Sequence, residues 1–176
     1  STLEEVERRI RELLDRHRRA TEEVEKEVDR LNKETRDELD RVRKEIEKLL
    51  KDLDRKERDE EVKDVERRVR ELLKEAEKIV RDLERENKRL LDELRKTSKE
   101  IAKRVTDLLE DLRRLTDDEE LRRILKRVEK LVKDLNDKLR KILDDARRSN
   151  EEIKRRLEEI LKEVKRLVDT VTERAR

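Results

Sequence analysis

The chain carries one imidazole, His17, and no cysteine, so the chemistry open to it is narrow. An imidazole can serve as a metal ligand or a general base. A zinc site normally takes three or four protein ligands, and no second His or Cys is present to join His17. A general base needs a cleft, whereas the apolar pattern described below implies a filled core. His17 is therefore read as a hydrogen-bonded core histidine. Carboxylates are plentiful, but they stand beside cations in Glu4/Arg8, Glu5/Arg9, Glu7/Arg11, Glu47/Lys51, Glu151/Arg155 and Glu152/Arg156. Each i,i+4 pair with the acid on the N-terminal side stabilises a helix by about 0.2–0.5 kcal/mol. They read as solvated helix faces, not as an acid/base dyad. No catalytic, cofactor-binding or metal-ligating residue is assigned, and no cofactor is expected.

The missing residue types exclude more. Gly, Pro, Cys, Met, Trp, Tyr and Phe are all absent. Without Gly there is no phosphate-cradling loop. Without aromatic residues there is no stacking platform for single-stranded nucleic acid. Lys and Arg total 54 against 52 Asp and Glu, a net charge of +2. Basic clusters such as Arg16, Arg18 and Arg19, or Arg147 and Arg148, are short and interrupted by acids, so no basic stripe tracks a phosphate backbone. No apolar run approaches the roughly 18 residues of a membrane span, and no signal peptide or other targeting signal is seen. A soluble chain with no nucleic-acid or membrane partner is expected. It starts Ser1-Thr2 and not with Met, which suggests processing or cleavage.

The elements that position these residues follow from periodicity. Apolar residues make up 31% of the 176 and charged residues 60%. A two-in-seven helical seam needs about 29% apolar residues and a three-in-seven face about 43%. The chain has enough for one inner face per helix, the composition of coiled coils and long helices. A disordered chain would show no periodicity, whereas here Leu, Ile and Val recur at steps of three, four and seven in three stripes, from Leu3 to Leu53, Val62 to Leu115 and Leu121 onward. Nothing apolar lies between Asp54 and Glu61, and Thr116 to Glu120 forms a second break. Ser1 or Thr2, Asp59 and Asp117 are N-cap candidates, with Thr2/Glu5 fitting a capping box. The spacing predicts an all-α fold: helices near 2–54, 60–115 and 118–175, joined by short connections into one elongated antiparallel up-down-up bundle over residues 1–176. Each helix has about 55 residues and a length of about 80 Å. The seam Leu3, Ile10, His17, Val24, Leu31 resumes one residue late at Leu39, Ile46, Leu53, so the helices are expected to be nearly straight.

Polar residues interrupt the stripes at seam positions. Folding at the two connections sets residue i of the first helix level with about 115 − i of the second, and residue j of the second level with about 236 − j of the third. His17 then meets Ser98 beside Thr97, and Asn87 meets Ser149 beside Asn150. Two polar layers are expected: His17, Thr21, Thr97, Ser98 and Asn136 in one, Asn32, Thr35, Asn87, Ser149 and Asn150 in the other. A buried polar group without a partner costs about 1–3 kcal/mol, so grouping them at one height lets them satisfy each other and penalises a slipped alignment. Surface polar residues aligned by chance are the alternative.

The Leu/Ile/Val-rich core, the near-balanced Glu/Lys/Arg/Asp surface, the level-matched Asn/Ser/Thr/His positions and the Leu115-Thr116-Asp117 helix exit together resemble de novo designed helical bundles with buried hydrogen-bond networks. The likeness spans the whole chain, although designed connections often contain Gly or Pro and these contain neither. Spectrin-type repeats are a weaker likeness, since their aromatic core residues are missing. The resemblance implies no catalysis and no natural biochemical activity. Members serve as scaffolds, oligomers, heterodimer halves or switchable modules. The first expectation is a designed, monomeric structural scaffold whose polar layers specify helix alignment, with high thermal stability because capping, pattern and surface pairing agree along the chain. The alternative is an oligomerisation or interaction module, a homo-oligomer or heterodimer half using the same layers to choose a partner.

Overall fold

The computed structural model describes residues 2–53, 55–56 and 58–175, without the side chains of 170–172, 174 and 175. Ser1 as a cap and residue 54 as a helix end lie outside the described residues. The described residues form three helices: α1 (Leu3–Leu53), α2 (Asp59–Leu115) and α3 (Asp118–Ala175). No strand occurs among the described residues. The expected helices thus appear within a residue or two at each end. Long uninterrupted helices follow from a chain of Leu, Glu, Lys and Arg, all good helix formers, with no Gly or Pro to break them.

The helix ends are secured by identifiable bonds. Thr2 Oγ1 accepts the Glu5 N–H at 3.3 Å, and Asp117 Oδ1 accepts the Glu120 N–H at 3.0 Å, the N-cap geometry in both cases. Asp59 is corrected: it is the first helical residue, not the cap, because the Val62 N–H already donates to the Arg58 carbonyl at 3.1 Å. Its carboxylate, with Glu60 and Glu61, instead meets the positive end of the α2 dipole. No described residue has a positive φ. Among the described residues no helix therefore ends on a left-handed cap. After α1 the Arg55 and Lys56 N–H groups donate to the Asp52 and Leu53 carbonyls at 3.1 Å, tightening the last turn. After α2 the Thr116 N–H reaches the Leu112 carbonyl at 3.2 Å.

The chain divides into two compact units, and every helix contributes a segment to each. Unit 1 comprises Ser1–Val28 and Asn87–Ala146, and unit 2 comprises Asp29–Glu86 and Arg147–Arg176. Each is a three-helix bundle around an aliphatic core. In unit 1 the buried cluster is Val6, Ile10 and Leu14 from α1, Ile101, Val105 and Leu112 from α2, and Ile124 and Val128 from α3. In unit 2 a longer cluster includes Leu39 and Ile46, Leu72, Ala76 and Val80, and Ile153 and Ile160.

Cross-helix ion pairs set the direction and register inside each unit. In unit 1, Glu7 meets Arg127 at 3.7 Å and Glu22 meets Lys138 at 3.0 Å, so α1 and α3 run parallel. In unit 2, Arg36 meets Glu152 at 3.3 Å and Arg43 further along α1 feels the charge of Glu163 further along α3, the same sense. Glu45 meets Arg68 at 3.0 Å, and Glu84 meets Lys154 at 2.9 Å. The level rule places residue 70 opposite Glu45 and residue 152 opposite Glu84, each about half a turn from the residue engaged. The order within both units is up-down-up.

Candidate functional site

Among the described residues, the buried polar side chains are the uncharged ones that interrupt the aliphatic stripes: His17, Thr21, Asn32, Thr35 and Asn87. In unit 1, α1 presents His17 and Thr21, one helical turn apart, at 5% and 0% exposure. On α2, Thr97 and Ser98 are half-buried. His17 Nε2 and Ser98 Oγ share a hydrogen bond of 2.6 Å, so these two residues meet at the height expected. Thr21 Oγ1 donates at 2.7 Å to the carbonyl of His17 in its own helix. This bond satisfies the hydroxyl locally without reaching another helix, as Ser and Thr within helices commonly do.

Asn136 is corrected. It is exposed on α3, because Leu135 and Leu139 take the inward-facing positions and the next residue along a helix lies about 100° around the axis. Residue 138, the level expected opposite Ser98, is a half-buried Lys whose ammonium reaches across to Glu22 on α1 at 3.0 Å. That ammonium holds the Glu22 carboxyl below the usual carboxylate range. On α3 the space that His17 and Ser98 line is bordered by the aliphatic Val132 and Leu135, by the charged Lys133, Asp137 and Arg140, and by Asn136.

The His17 ring is polar on one side only. Its Nδ1 is buried and has no hydrogen-bond partner. With the proton on Nε2 the ring donates to Ser98 and leaves a bare lone pair at Nδ1. A stranded acceptor is less costly than a stranded N–H, which assigns this tautomer on physical grounds. Burial pushes the imidazole pKa below its ordinary value: desolvation disfavours the charged form, and imidazolium would put a second N–H where no acceptor is available.

Beside the His17–Ser98 pair lies a cavity of about 730 Å³. Its floor is Leu14 and His17 of α1, and its mouth opens between α2 and α3, where Ala102, Lys133 and Arg140 are exposed. Sequence reasoning expected a filled core and missed this space.

In unit 2, Asn32 and Thr35 on α1 are 3% and 7% exposed, and Ser149 and Asn150 on α3 are half-buried. Asn87, on α2 in unit 1, is 1% exposed. Among the described residues no group of three or more His, Cys, Asp or Glu is placed to hold a metal ion, and no helix is long and apolar enough to cross a membrane.

No protein-family model matches the chain, and no curated protein does. It is similar to a solved structure described as a computationally designed three helix bundle, with 20% identity over 97% of this chain and 90% of that one and a TM-score of 0.43.

Proposed function

We propose that the chain is a structural scaffold, a designed and monomeric three-helix protein in which buried polar side chains specify how the helices align. The observation that carries this reading is the burial of His17, Thr21, Asn32, Thr35 and Asn87 in an otherwise aliphatic interior, with His17 and Ser98 bonded across two helices. A one-turn slip of α1 against α2 would set His17 against an aliphatic side chain and leave its ring unpaired. The penalty of about 1–3 kcal/mol for a stranded polar group then separates the aligned state from slipped ones, a use of buried polarity known from helical assemblies. The composition supports design: one narrow set of core residues, a balanced charged surface, and caps and pattern that agree along the chain. A scaffold needs no active site, and the single imidazole is engaged with Ser98.

Light scattering combined with small-angle X-ray scattering tests the proposal. A mass near 21.7 kDa supports the scaffold, and a multiple of it refutes the monomer. The second reading, an interaction module, has a specific observation in its favour: Leu115 and Leu131 are 46% and 43% exposed, and an outward-facing Leu gains from a partner that covers it. A dimeric mass that falls to the monomer on Leu131→Glu would establish that reading.

A further inference from the structure

We propose that the chain has a second folded form, a dimer in which two copies exchange α3 by straightening the α2–α3 connection. The partner is a second copy of this chain, and the surface that receives it is the part of α1 and α2 that the chain's own α3 covers in the monomer. The connection is two residues, Thr116 and Asp117, between Leu115 and Asp118. Helical bonding reaches it from both sides. The Thr116 N–H donates to the Leu112 carbonyl, four residues back, at 3.2 Å, and the Leu121 N–H donates to the Asp117 carbonyl with the same spacing at 3.1 Å. A helix end leaves four N–H or four C=O groups without helical partners. In one continuous helix the N–H groups of residues 117–120 would reach the carbonyls of residues 113–116. The bond from the Glu120 N–H to Asp117 Oδ1, 3.0 Å long, is the cap that the straight form gives up.

Nothing in the connection forbids the change. The chain has no Gly to stop a helix and no Pro to break one, and no described residue has a positive φ. The α1–α2 connection differs. It is longer, and Arg55 and Lys56 donate to the carbonyls three residues back, at Asp52 and Leu53, a tighter pattern that a continuous helix would have to undo. The exchanged element is therefore α3. Exchange keeps the contacts that hold α3 in place. Glu7–Arg127 and Glu22–Lys138 in unit 1, and Arg36–Glu152 and Glu84–Lys154 in unit 2, form between copies instead of within one. The aliphatic clusters around Ile124 and Val128 and around Ile153 and Ile160 do the same. The two forms thus differ in the connection and in chain entropy. A short tether holds α3 at an effective concentration in the millimolar range. The monomer prevails in dilute solution, and the dimer gains as protein concentration rises. The scaffold reading concerns the dilute monomer, and the exchanged dimer goes beyond it.

The main test needs only the wild-type chain. Equal amounts of unlabelled and heavy-nitrogen-labelled chain are unfolded together in guanidinium, refolded at high and at low protein concentration, and separated by size with light scattering. A fraction at twice 21.7 kDa is expected at high concentration. Carbodiimide then condenses the Glu22 carboxylate with the Lys138 ammonium, 3.0 Å apart, and mass spectrometry reads the joined peptides. In the dimer, crosslinks between a labelled and an unlabelled peptide should appear at the frequency of random pairing. In the monomer both peptides carry the same label. Inserting Gly-Gly after Thr116 should abolish the dimer and leave a folded monomer, since connections tolerate added length. Thr116→Ala with Asp117→Ala removes the cap and favours the helix, and should tighten the dimer by roughly 10-fold. Leu131→Glu should leave the dimer intact, which separates exchange from pairing through that exposed side chain. No dimer at high concentration, or a dimer whose crosslinks join only like-labelled peptides, overturns the proposal. A dimer that survives the Gly-Gly insertion overturns the hinge at Thr116 and Asp117. A doubled mass already present in dilute solution counts against the monomeric scaffold, while its crosslinks still decide the exchange.

Discussion

Unit 1 and unit 2 are built from the same three helices and the same few residue types, yet they pack differently. In unit 2 aliphatic side chains from all three helices interlock from Leu39 to Leu53, Val65 to Leu83 and Ile153 to Val164. In unit 1 the fully buried cluster on α3 stops at Val128, with the half-buried Val132 and Leu135 packed against it; these two border a space of about 730 Å³, against about 330 Å³ beside Val69, Leu73, Leu161 and Val164 in unit 2. The break lies beside His17 and Ser98, which bond to each other across α1 and α2 through Nε2 and Oγ. A polar pair that closes between two helices leaves the third to pack aliphatic side chains against it, and space is lost.

The largest test of this contrast removes equal side chains from the two units. Leu72→Ala, at a position 1% exposed, should cost about 2–5 kcal/mol in guanidinium unfolding, the range for a fully packed Leu. Leu135→Ala, beside space that already exists, should cost under about 1 kcal/mol because fewer contacts are lost. Equal costs would mean that the two cores are equally packed. Next in size is the polar pair itself. Ser98→Ala should cost about 1–3 kcal/mol by stranding the His17 ring, whereas the double change Ser98→Ala with His17→Leu should come back close to the parent stability, since apolar groups of similar shape leave nothing unsatisfied.

The third test uses pH and should move unit 1 alone. His17 is held below its ordinary pKa by burial, so the folded state disfavours the proton that the unfolded chain takes up below about pH 6.5. Stability is therefore unaffected at pH 7.5 and falls as the pH drops through that value. Wild type and His17→Gln, compared by chemical unfolding at pH 7.5 and 5, should diverge only at the lower pH. Parallel behaviour would remove the buried neutral imidazole from the account. The smallest effect belongs to the edge of unit 1. Lys138→Ala should cost less than about 1 kcal/mol, and less again in high salt, because the Glu22–Lys138 pair is partly solvated.

The helices were legible almost to the residue, because charge-rich breaks and Thr2 and Asp117 caps interrupt a seam that otherwise never pauses. The meeting of His17 with Ser98 was legible too, since two short connections leave little freedom in height. Rotation was harder to read than height. Asn136 lies at the expected level and borders the same space as His17 and Ser98, but it is exposed and not buried, because Leu135 takes the more inward position beside it. Thr21 lies on the seam as expected, yet a hydroxyl has a carbonyl of its own helix within reach, and the local bond formed. The cavity was invisible to pattern reading because periodicity reports which side chains point inward and not whether they fill the space they enclose.

Each unit contains one connection and one segment that arrives from far along the chain, and this arrangement bears on the order of assembly. In unit 2 the Glu45–Arg68 contact spans 23 residues, while Arg36 and Glu152 are separated by 116. In unit 1 the His17–Ser98 bond spans 81 residues. Closing the longest of these loops after the shortest adds only about 1.4 kcal/mol of chain entropy, given its logarithmic growth with length. Contact separation weighs more heavily on rate than on stability. The two hairpins are thus the natural early structures, and the N-terminal part of α1 and the C-terminal part of α3 are latecomers, each docking on a hairpin that the other does not share.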